Sequence, residues 1–140
     1  MVEEMHPSIK DVMAVAEFRS ALRHFLRRSE KIARQSGLTP QRYTLLMMIK
    51  GSPDGAEQST VTELANRLQL AQSTVTELVR RAESAGLIER EQSQRDARVA
   101  HLRLTSEGER RLMLSFTALE TERAQLREAF ANFDGGVAGH

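Results

Sequence analysis

The strongest constraint on the fold is a pair of short helical patterns separated by a break of only three residues, 69–71. Thr60 is followed three residues later by Glu63, and this spacing predicts a capping box in which each side chain bonds the other residue's backbone N–H. After the break, apolar residues recur at helical spacing over 72–85, and Gly86 follows where a helix commonly ends. Two short helices joined by such a tight turn are typical of a helix-turn-helix.

Two further helices are predicted ahead of this motif. Apolar residues recur with a helical period over 9–35, and Gly37 follows in the position of a left-handed C-terminal residue. Thr39 can cap a second helix, whose first position suits Pro40, and Gly51 stops that helix after Lys50. We therefore expect helices over 9–35 and 40–50.

A β-hairpin is predicted after the motif. Residues 87–91 and 99–104 are two short strand-like runs, and the connection between them, 92–98, is polar and charged. In the second strand we expect Ala100, Leu102 and Leu104 to point inward, and His101 and Arg103 to point outward. A hairpin with a charged, exposed tip in this position is a wing.

Thr105 can cap a last helix, predicted over 106–133. Its apolar residues fall at alternating steps of four and three, which is typical of a helix that packs against a partner helix. Arg123 occupies the one position of this repeat that lacks an apolar residue. This predicted seam comprises Leu112, Phe116, Leu119, Leu126, Phe130 and Phe133. The glycine-containing tail, 134–140, is predicted to be disordered.

Composition supports one mainly α-helical domain. Apolar residues make up 40% of the 140-residue chain and charged residues 28%, which is globular composition. Aromatic residues are only 4%, so the core must be aliphatic, which suits helices better than stacked sheets. We expect a mainly α fold with a small β-hairpin wing.

Several functional classes are disfavoured. The chain has no cysteine, which removes disulfides, thiolate ligands and thiol nucleophiles. The histidines are scattered without metal-ligand spacing, and no glycine-rich phosphate loop is present, so we expect no enzyme activity, cofactor or metal. The N-terminus is acidic where an export signal needs positive charge, and the longest purely apolar run is 45–49, so we expect a cytoplasmic protein without a membrane partner.

The outward face of the 72–85 helix carries the candidate function. Its inward side holds Val75, Leu78, Val79 and Ala82, which leaves Ser73, Thr76, Glu77, Arg80 and Ser84 facing out. Hydroxyl and guanidinium groups near a helix N-terminus can meet phosphates and base edges in a DNA major groove. The same composition also suits an ordinary solvated helix face, so the face alone leaves both readings open.

The order of elements resembles the MarR family of winged helix-turn-helix transcriptional regulators. The resemblance extends over 8–133, and its matching stretches are Leu38-Thr39-Pro40-Gln41, Thr60-Val61-Thr62-Glu63-Leu64-Ala65, Ser73-Thr74-Val75-Thr76, Gly86-Leu87-Ile88-Glu89-Arg90, Asp96-Ala97-Arg98 and Leu104-Thr105-Ser106-Glu107-Gly108. It implies a winged helix-turn-helix over 39–104 and dimerisation helices over 8–36 and 106–133 in a single domain, 1–140. Two such chains would form a triangular homodimer on a near-palindromic double-stranded DNA site.

The resemblance also implies roles for individual residues. Arg81 would approach the DNA backbone, Arg95 would contact a phosphate, and Arg98 would enter the minor groove, where narrow A·T-rich stretches concentrate negative potential. Asp96 is a poor DNA contact by charge and would hold a nearby arginine. The residues facing the major groove or its flanking phosphates would be Gln72, Ser73, Thr74, Thr76 and Arg80.

Two positions depart from the family pattern. Ala71 stands where a serine often caps the recognition helix. Glu77 lies on the groove face where many relatives carry a basic residue. Its carboxylate can accept from a cytosine amino group, or it can pair with Arg80 or Arg81 at helical spacing, and pairing is slightly favoured.

The family commonly binds small aromatic or phenolic effectors in a crevice between the dimer helices and the winged motif. The residues that would line such a pocket here are Phe18, His24, Phe25, Tyr43, Met47 and Met48. Phenylalanine and methionine at helical spacing are also ordinary core residues, and His24 near Arg28 is also an ordinary interhelical contact.

The predicted function is therefore that of a DNA-binding transcriptional regulator, with repression the family's commoner mode. The alternative is a winged-helix module that binds proteins and has no DNA role. Its weakness is the basic, polar face, because protein interfaces more often expose aromatic anchors.

Overall fold

The computed structural model describes residues 6–138, and side chains over 6–133. Six helices and two strands follow one another in this part of the chain, namely α1 (Ile9–Gln35), α2 (Pro40–Lys50), α3 (Val61–Leu68), α4 (Gln72–Ser84), β1 (Ile88–Gln92), β2 (Ala100–Leu104), α5 (Ser106–Ala118) and α6 (Glu120–Ala138). The chain divides into two compact units, the winged unit, Ala33–Phe116, and the helical unit, formed by the segments on either side of it. The expected fold class, mainly α with a small β-hairpin, is confirmed.

The helix boundaries in the first half of the chain follow from their caps. The side-chain oxygen of Thr39 accepts from the backbone N–H of Arg42 at 3.2 Å at the start of α2. At α3, Thr60 and Glu63 form the predicted capping box in both directions. Gly37 adopts the expected positive φ, 78°, after α1. Local side-chain chemistry is therefore sufficient to start and stop these helices.

The helix-turn-helix consists of α3 and α4. The α3 helix ends at Gln69, which adopts a left-handed conformation with φ 55°. The core beneath it is built from leucine, valine and isoleucine side chains of α2, α3, α4 and β2 and from Leu87, just before β1. Those with no exposed surface are Leu45, Leu46, Ile49, Leu64, Val75, Val79, Leu87 and Leu102. Leu78, predicted on the inward stripe, is only half-buried.

Both strands of the hairpin begin one residue later than predicted. Strands β1 and β2 are antiparallel, with Ile88 opposite Leu104 and Gln92 opposite Ala100. Ser59 adds a two-bond bridge to the outer side of β2, donating to the carbonyl of Leu102 at 3.1 Å and accepting from its N–H at 2.8 Å. The predicted alternation holds at Leu102, which is buried, and at Arg103, which is exposed. His101, which was predicted to point outward, is half-buried.

The start of α5 is tied to the end of α4. The Thr105 hydroxyl donates to the carbonyl of Gly86 at 2.6 Å and accepts from the N–H of Gly108 at 3.1 Å, so Thr105 is the predicted cap. Gly108 is buried so closely against Leu87 that a Cβ on it would lie 2.0 Å from the Leu87 carbonyl oxygen. Glycine is the residue that permits this approach.

The second unit contains the first part of α1 and α6. The Phe18 ring contacts Phe130 edge-on, with centroids 5.8 Å apart, and stacks on Phe133 at 5.5 Å. The Arg28 guanidinium donates to the Glu122 carboxylate at 3.0 Å. No helix in the described part of the chain is long and apolar enough to cross a membrane.

The C-terminal region differs from the single helix predicted over 106–133. A turn at Leu119 separates α5 from α6, and α6 continues to Ala138. Residues 134–138, predicted to be a disordered tail, are therefore helical, while 139–140 lie outside the described residues. Extending an existing helix adds one hydrogen bond for each residue fixed, and this offsets the cost of about 1 kcal/mol for each glycine.

Candidate nucleic-acid interface

The outward face of α4 is exposed as predicted. Val75, Val79 and Ala82 turn into the core and fix the rotation of the helix about its axis. Gln72, Ser73, Thr74 and Thr76, on the first turns, are all exposed. The side chains of Arg80 and Arg81 follow on the same helix and are 65% and 62% exposed. The predicted groove-facing residues therefore form one continuous polar surface.

The N-terminus of α4 has no side-chain cap. Ala71 occupies the cap position with extended backbone, φ −64° and ψ 147°, but offers no oxygen to the first N–H groups of the helix. Gln72 donates instead across the turn to the Thr62 hydroxyl of α3, at 3.3 Å. The first backbone N–H groups of α4 thus lack a side-chain acceptor at the cap position, and an anion binds well at such an end.

Glu77 is paired with both arginines of the face. Its Oε1 accepts from Arg80 Nη2 at 2.6 Å and from Arg81 Nε at 3.0 Å, while its Oε2 accepts from Arg80 Nε at 3.0 Å. Hydrogen bonds from Arg80 and then Arg81 lower the pKa of Glu77 to about 2, so the carboxylate is ionised at neutral pH. Of the two alternatives for Glu77, pairing is the one present in the free chain.

At the tip of the wing, Asp96 is paired with Arg98. Asp96 Oδ1 accepts from the backbone N–H of Arg98 at 3.0 Å and from its guanidinium Nε at 3.2 Å. These bonds, the backbone one first, lower the pKa of Asp96. The Arg98 side chain is 91% exposed, so its guanidinium group is paired with Asp96 and still open to solvent. The expectation that Asp96 holds a nearby arginine agrees with this geometry.

Arg95 is also at the tip, and its side chain forms no ion pair with the residues that the structure describes. Its backbone N–H and that of Asp96 both donate to the Ser93 hydroxyl, at 3.2 and 3.4 Å. The tip is thus ordered by its own hydrogen bonds, and Arg95 is available to an external anion.

A contact that the sequence did not predict joins the wing to α4. Arg90 Nε on β1 donates to both carboxylate oxygens of Glu83 on α4, at 2.9 and 3.0 Å. The two residues lie on different elements and outside any helical spacing rule, so only the folded chain brings them together. The hairpin and the recognition helix are therefore linked by a charge-assisted bond.

The predicted effector residues fall in different units of the chain. In the helical unit, His24 and Phe25 line a cavity of about 390 Å³ together with Arg28 and Glu122, and Phe18 packs on Phe130 and Phe133. In the winged unit, Tyr43 is buried and Met47 and Met48 are half-buried. Arg28 is already paired with Glu122. No cluster of histidine, aspartate and glutamate among the described residues is arranged to hold a metal ion.

Some residues of the predicted dimer seam are buried within the chain, and others are exposed. Leu112 and Leu119 are only 2% and 1% exposed, so both side chains are largely covered within the single chain, and their place in a dimer seam stays a prediction. Phe116 and Phe130 remain exposed and Leu126 is half-buried. On α1, large apolar side chains are also exposed, namely Ile9, Val12, Met13, Val15 and Leu26.

The arrangement of α2, α3, α4 and a hairpin carrying an exposed arginine defines a winged helix-turn-helix. Residues 36–99 match the family model described as MarR family. Over these residues, the resemblance to the MarR family drawn from the sequence is confirmed.

Solved structures have the same fold. The crystal structure of the MarR family transcription regulator SP03579 is 23% identical over 91% of this chain and 82% of its own, with a TM-score of 0.69. AbsC, a MarR family regulator from Streptomyces coelicolor, is 21% identical over 91% and 82%, with a TM-score of 0.63. A mutant of MarR from E. coli in complex with operator DNA is 16% identical over 82% and 75%, with a TM-score of 0.62. No curated protein sequence matches this chain significantly.

Proposed function

We propose that this chain is a transcriptional regulator that binds double-stranded DNA sequence-specifically as a homodimer. The observation that carries the proposal is that the first turns of α4 are exposed, uncapped and hydrogen-bonding, next to a wing whose Arg98 extends into solvent. The similar fold of the E. coli MarR mutant, which was solved with operator DNA, supports it.

The α4 helix supplies the major-groove contacts. Ser73, Thr74 and Thr76 reach base edges, and Gln72 with the uncapped backbone N–H groups binds a flanking phosphate. Arg80 and Arg81, further along the helix, meet the DNA backbone on either side of the groove.

The wing supplies the minor-groove contact. Arg98 enters the groove, Asp96 restricts its conformations, and Arg95 binds a phosphate. A guanidinium group that a neighbouring carboxylate already holds loses less conformational freedom on binding than a free one. This contact favours A·T-rich sequence, in which the minor groove is narrow and its potential is most negative.

A second copy of the chain covers the exposed apolar side chains of the helical unit. Leu26 on α1 and Phe130 on α6 are 51% and 52% exposed, and an apolar face of this kind is unfavourable in water. Pairing two chains presents two α4 helices to a near-palindromic site, because the symmetry of the protein is matched by that of the DNA.

The regulator represses by occupying its operator, and a small aromatic or phenolic effector releases it. The cavity beside His24 and Phe25, about 390 Å³, lies in the size range of small-molecule sites. An effector acts only through different affinities for the DNA-competent and incompetent forms of the dimer.

A salt titration tests DNA binding against the protein-binding alternative. Fluorescence anisotropy with a labelled duplex, selected from a random pool by the wild-type protein, should give a steep linear fall of log affinity with log salt, because bound phosphates release counterions. Arg80→Ala should reduce the slope by about 0.9 for each protomer bound. Arg110→Ala, on α5, is the matched control and should leave the slope unchanged. A wild-type chain that ignores duplex DNA even at low salt contradicts the proposal.

A further inference from the structure

The α4 surface has no net positive charge of its own. The α4 sequence contains two arginines, Arg80 and Arg81, and two glutamates, Glu77 and Glu83, so its formal charge is zero. Each of these charged side chains has an opposite partner within the winged unit. Non-specific attachment to DNA depends on neutralising phosphates with free positive charge, so this surface is poorly equipped for it.

We propose that Glu77 is a specificity-determining residue that restrains Arg80 and Arg81, and thereby weakens attachment to DNA of the wrong sequence. This inference rests on the proposed DNA-binding function. Glu77 acts as a positioning residue, through the two guanidinium groups, and its carboxylate makes no base contact.

The geometry gives Glu77 control over both arginines. Three hydrogen bonds of 2.6–3.0 Å join one carboxylate to the two guanidinium groups, and two of these bonds hold Arg80 through both Nε and Nη2. To contact a phosphate, either arginine must share its charge with Glu77 or break a charge-assisted bond. A complex held by phosphate contacts alone therefore gains less than it would from two free arginines.

The cost falls mainly on non-specific binding, because a complex docked through base edges depends less on these phosphate contacts. On the correct sequence, Ser73, Thr74 and Thr76 add contacts to base edges, which supply the discriminating free energy. On any other sequence these base contacts are lost, and the phosphate contacts of Arg80 and Arg81 remain weakened. Because specificity is a difference between two affinities, lowering the non-specific one raises it.

The chain contains a matched control for this cluster. On α5, Glu107 accepts from Arg110 Nη2 at 2.6 Å and Nε at 3.0 Å, and from Arg111 Nε at 2.8 Å. The spacing, the partners and the distances repeat those of Glu77, but the cluster lies outside α4 and the wing. Changing Glu107 therefore alters net charge by the same amount without altering the proposed interface.

The test compares Glu77→Gln with Glu107→Gln on two duplexes, one random and one selected from a random pool by the wild-type protein. Glu77→Gln should bind the random duplex more tightly and steepen its salt slope by about 0.9 for each protomer, an additional loss of about 3.5-fold between 50 and 200 mM salt. The ratio of selected to random affinity should fall. Glu107→Gln should change neither, and the two variants should melt at similar temperatures, because each loses one carboxylate paired with two arginines.

Two results overturn the inference while DNA binding itself stands. In the first, Glu77→Gln and wild type have the same slope and the same affinity ratio. In the second, Glu77→Gln loses affinity for the selected duplex alone, which means that Glu77 reads a base directly. Failure of the wild-type protein to bind either duplex at 50 mM salt contradicts the proposed function, and the inference with it.

Discussion

The α carbon of Gly108 lies so close to Leu87 that a methyl group on it would meet the Leu87 carbonyl oxygen at 2.0 Å. This contact joins the first turn of α5 to the start of the hairpin, and the Leu87 carbonyl also accepts from the N–H of Thr105 at 3.0 Å. A backbone carbonyl held in this way cannot move aside without breaking that bond. The site is therefore closed to any side chain.

Gly108→Ala should destabilise the protein, although alanine is normally the better helix former. Overpacking of this kind lowers the free energy of unfolding by about 1–3 kcal/mol, measured by urea denaturation. Ser106→Ala, at the exposed start of the same helix, should change it by less than about 0.5 kcal/mol. A Gly108→Ala protein as stable as the wild type would show that α5 can shift away from Leu87.

Ala71→Ser should stabilise the protein, because serine can cap α4 as Thr60 caps α3. The backbone at Ala71 is already extended, as it is at Thr60, so the new hydroxyl can accept from the first turn of α4 without rearrangement. The expected gain in the free energy of unfolding is about 1 kcal/mol. Ala71→Val, which has no oxygen, is the control, and an equal gain from valine would rule out capping as the cause.

Arg98→Ala should remove the preference for A·T-rich flanking sequence. We expect about a tenfold loss of affinity for a selected duplex with an A·T-rich flank and a smaller loss when that flank is G·C-rich. Anisotropy with the two duplexes measures both, and melting should be unchanged because the Arg98 side chain is exposed. Equal losses on the two flanks would place Arg98 on a phosphate instead of in the groove.

The stability contribution of Glu107 should disappear in acid. Hydrogen bonds from Arg110 and then Arg111 lower the pKa of Glu107 to about 2, below its ordinary value of 4.5. A lowered pKa stabilises the folded state fully above the unfolded value and progressively less as the pH falls towards 2. Urea denaturation should therefore show a difference between wild type and Glu107→Gln at pH 7 that shrinks between pH 4.5 and 3. A difference independent of pH would mean that the carboxylate charge contributes nothing.

Leu26→Glu should convert the proposed dimer into monomers, because it places a charge on the exposed apolar side of α1. Sedimentation velocity at micromolar concentration gives the mass, and circular dichroism checks that the helices remain. Leu70→Glu, in the turn between α3 and α4, alters a similarly exposed leucine and should leave the mass unchanged. If the Leu26→Glu chain keeps the mass of a dimer, α1 is not part of the interface.

The parts of the fold that were predictable are those set by neighbours in sequence. The bounds of α2 and the start of α3 follow from Thr39 and from the Thr60–Glu63 box, which act over three residues. The pairing of Glu77 with Arg80 and Arg81 follows from helical spacing in the same way.

Contacts between distant segments were beyond this kind of prediction. The apolar repeat after Thr105 could not distinguish Leu112 and Leu119, which are covered by their own chain, from Phe130, which is exposed. A heptad pattern shows which residues lie on the same face of a helix. It does not show whether that face is covered by the same chain or by a partner. The Arg90–Glu83 bond was missed for a related reason, since neither residue has a spacing that indicates the other.

The bond between Arg90 and Glu83 also bears on how such a chain measures DNA. Because it joins the hairpin to α4, this bond helps to set the offset between the two elements proposed to contact DNA before the duplex arrives. If the distance between α4 and the wing is fixed, both elements can still reach DNA in which one base is changed. They cannot both reach DNA in which the distance between their two contact sites is changed. Inserting one base pair between the stretches read by α4 and by Arg98 should therefore harm recognition more than mutating one base in either stretch.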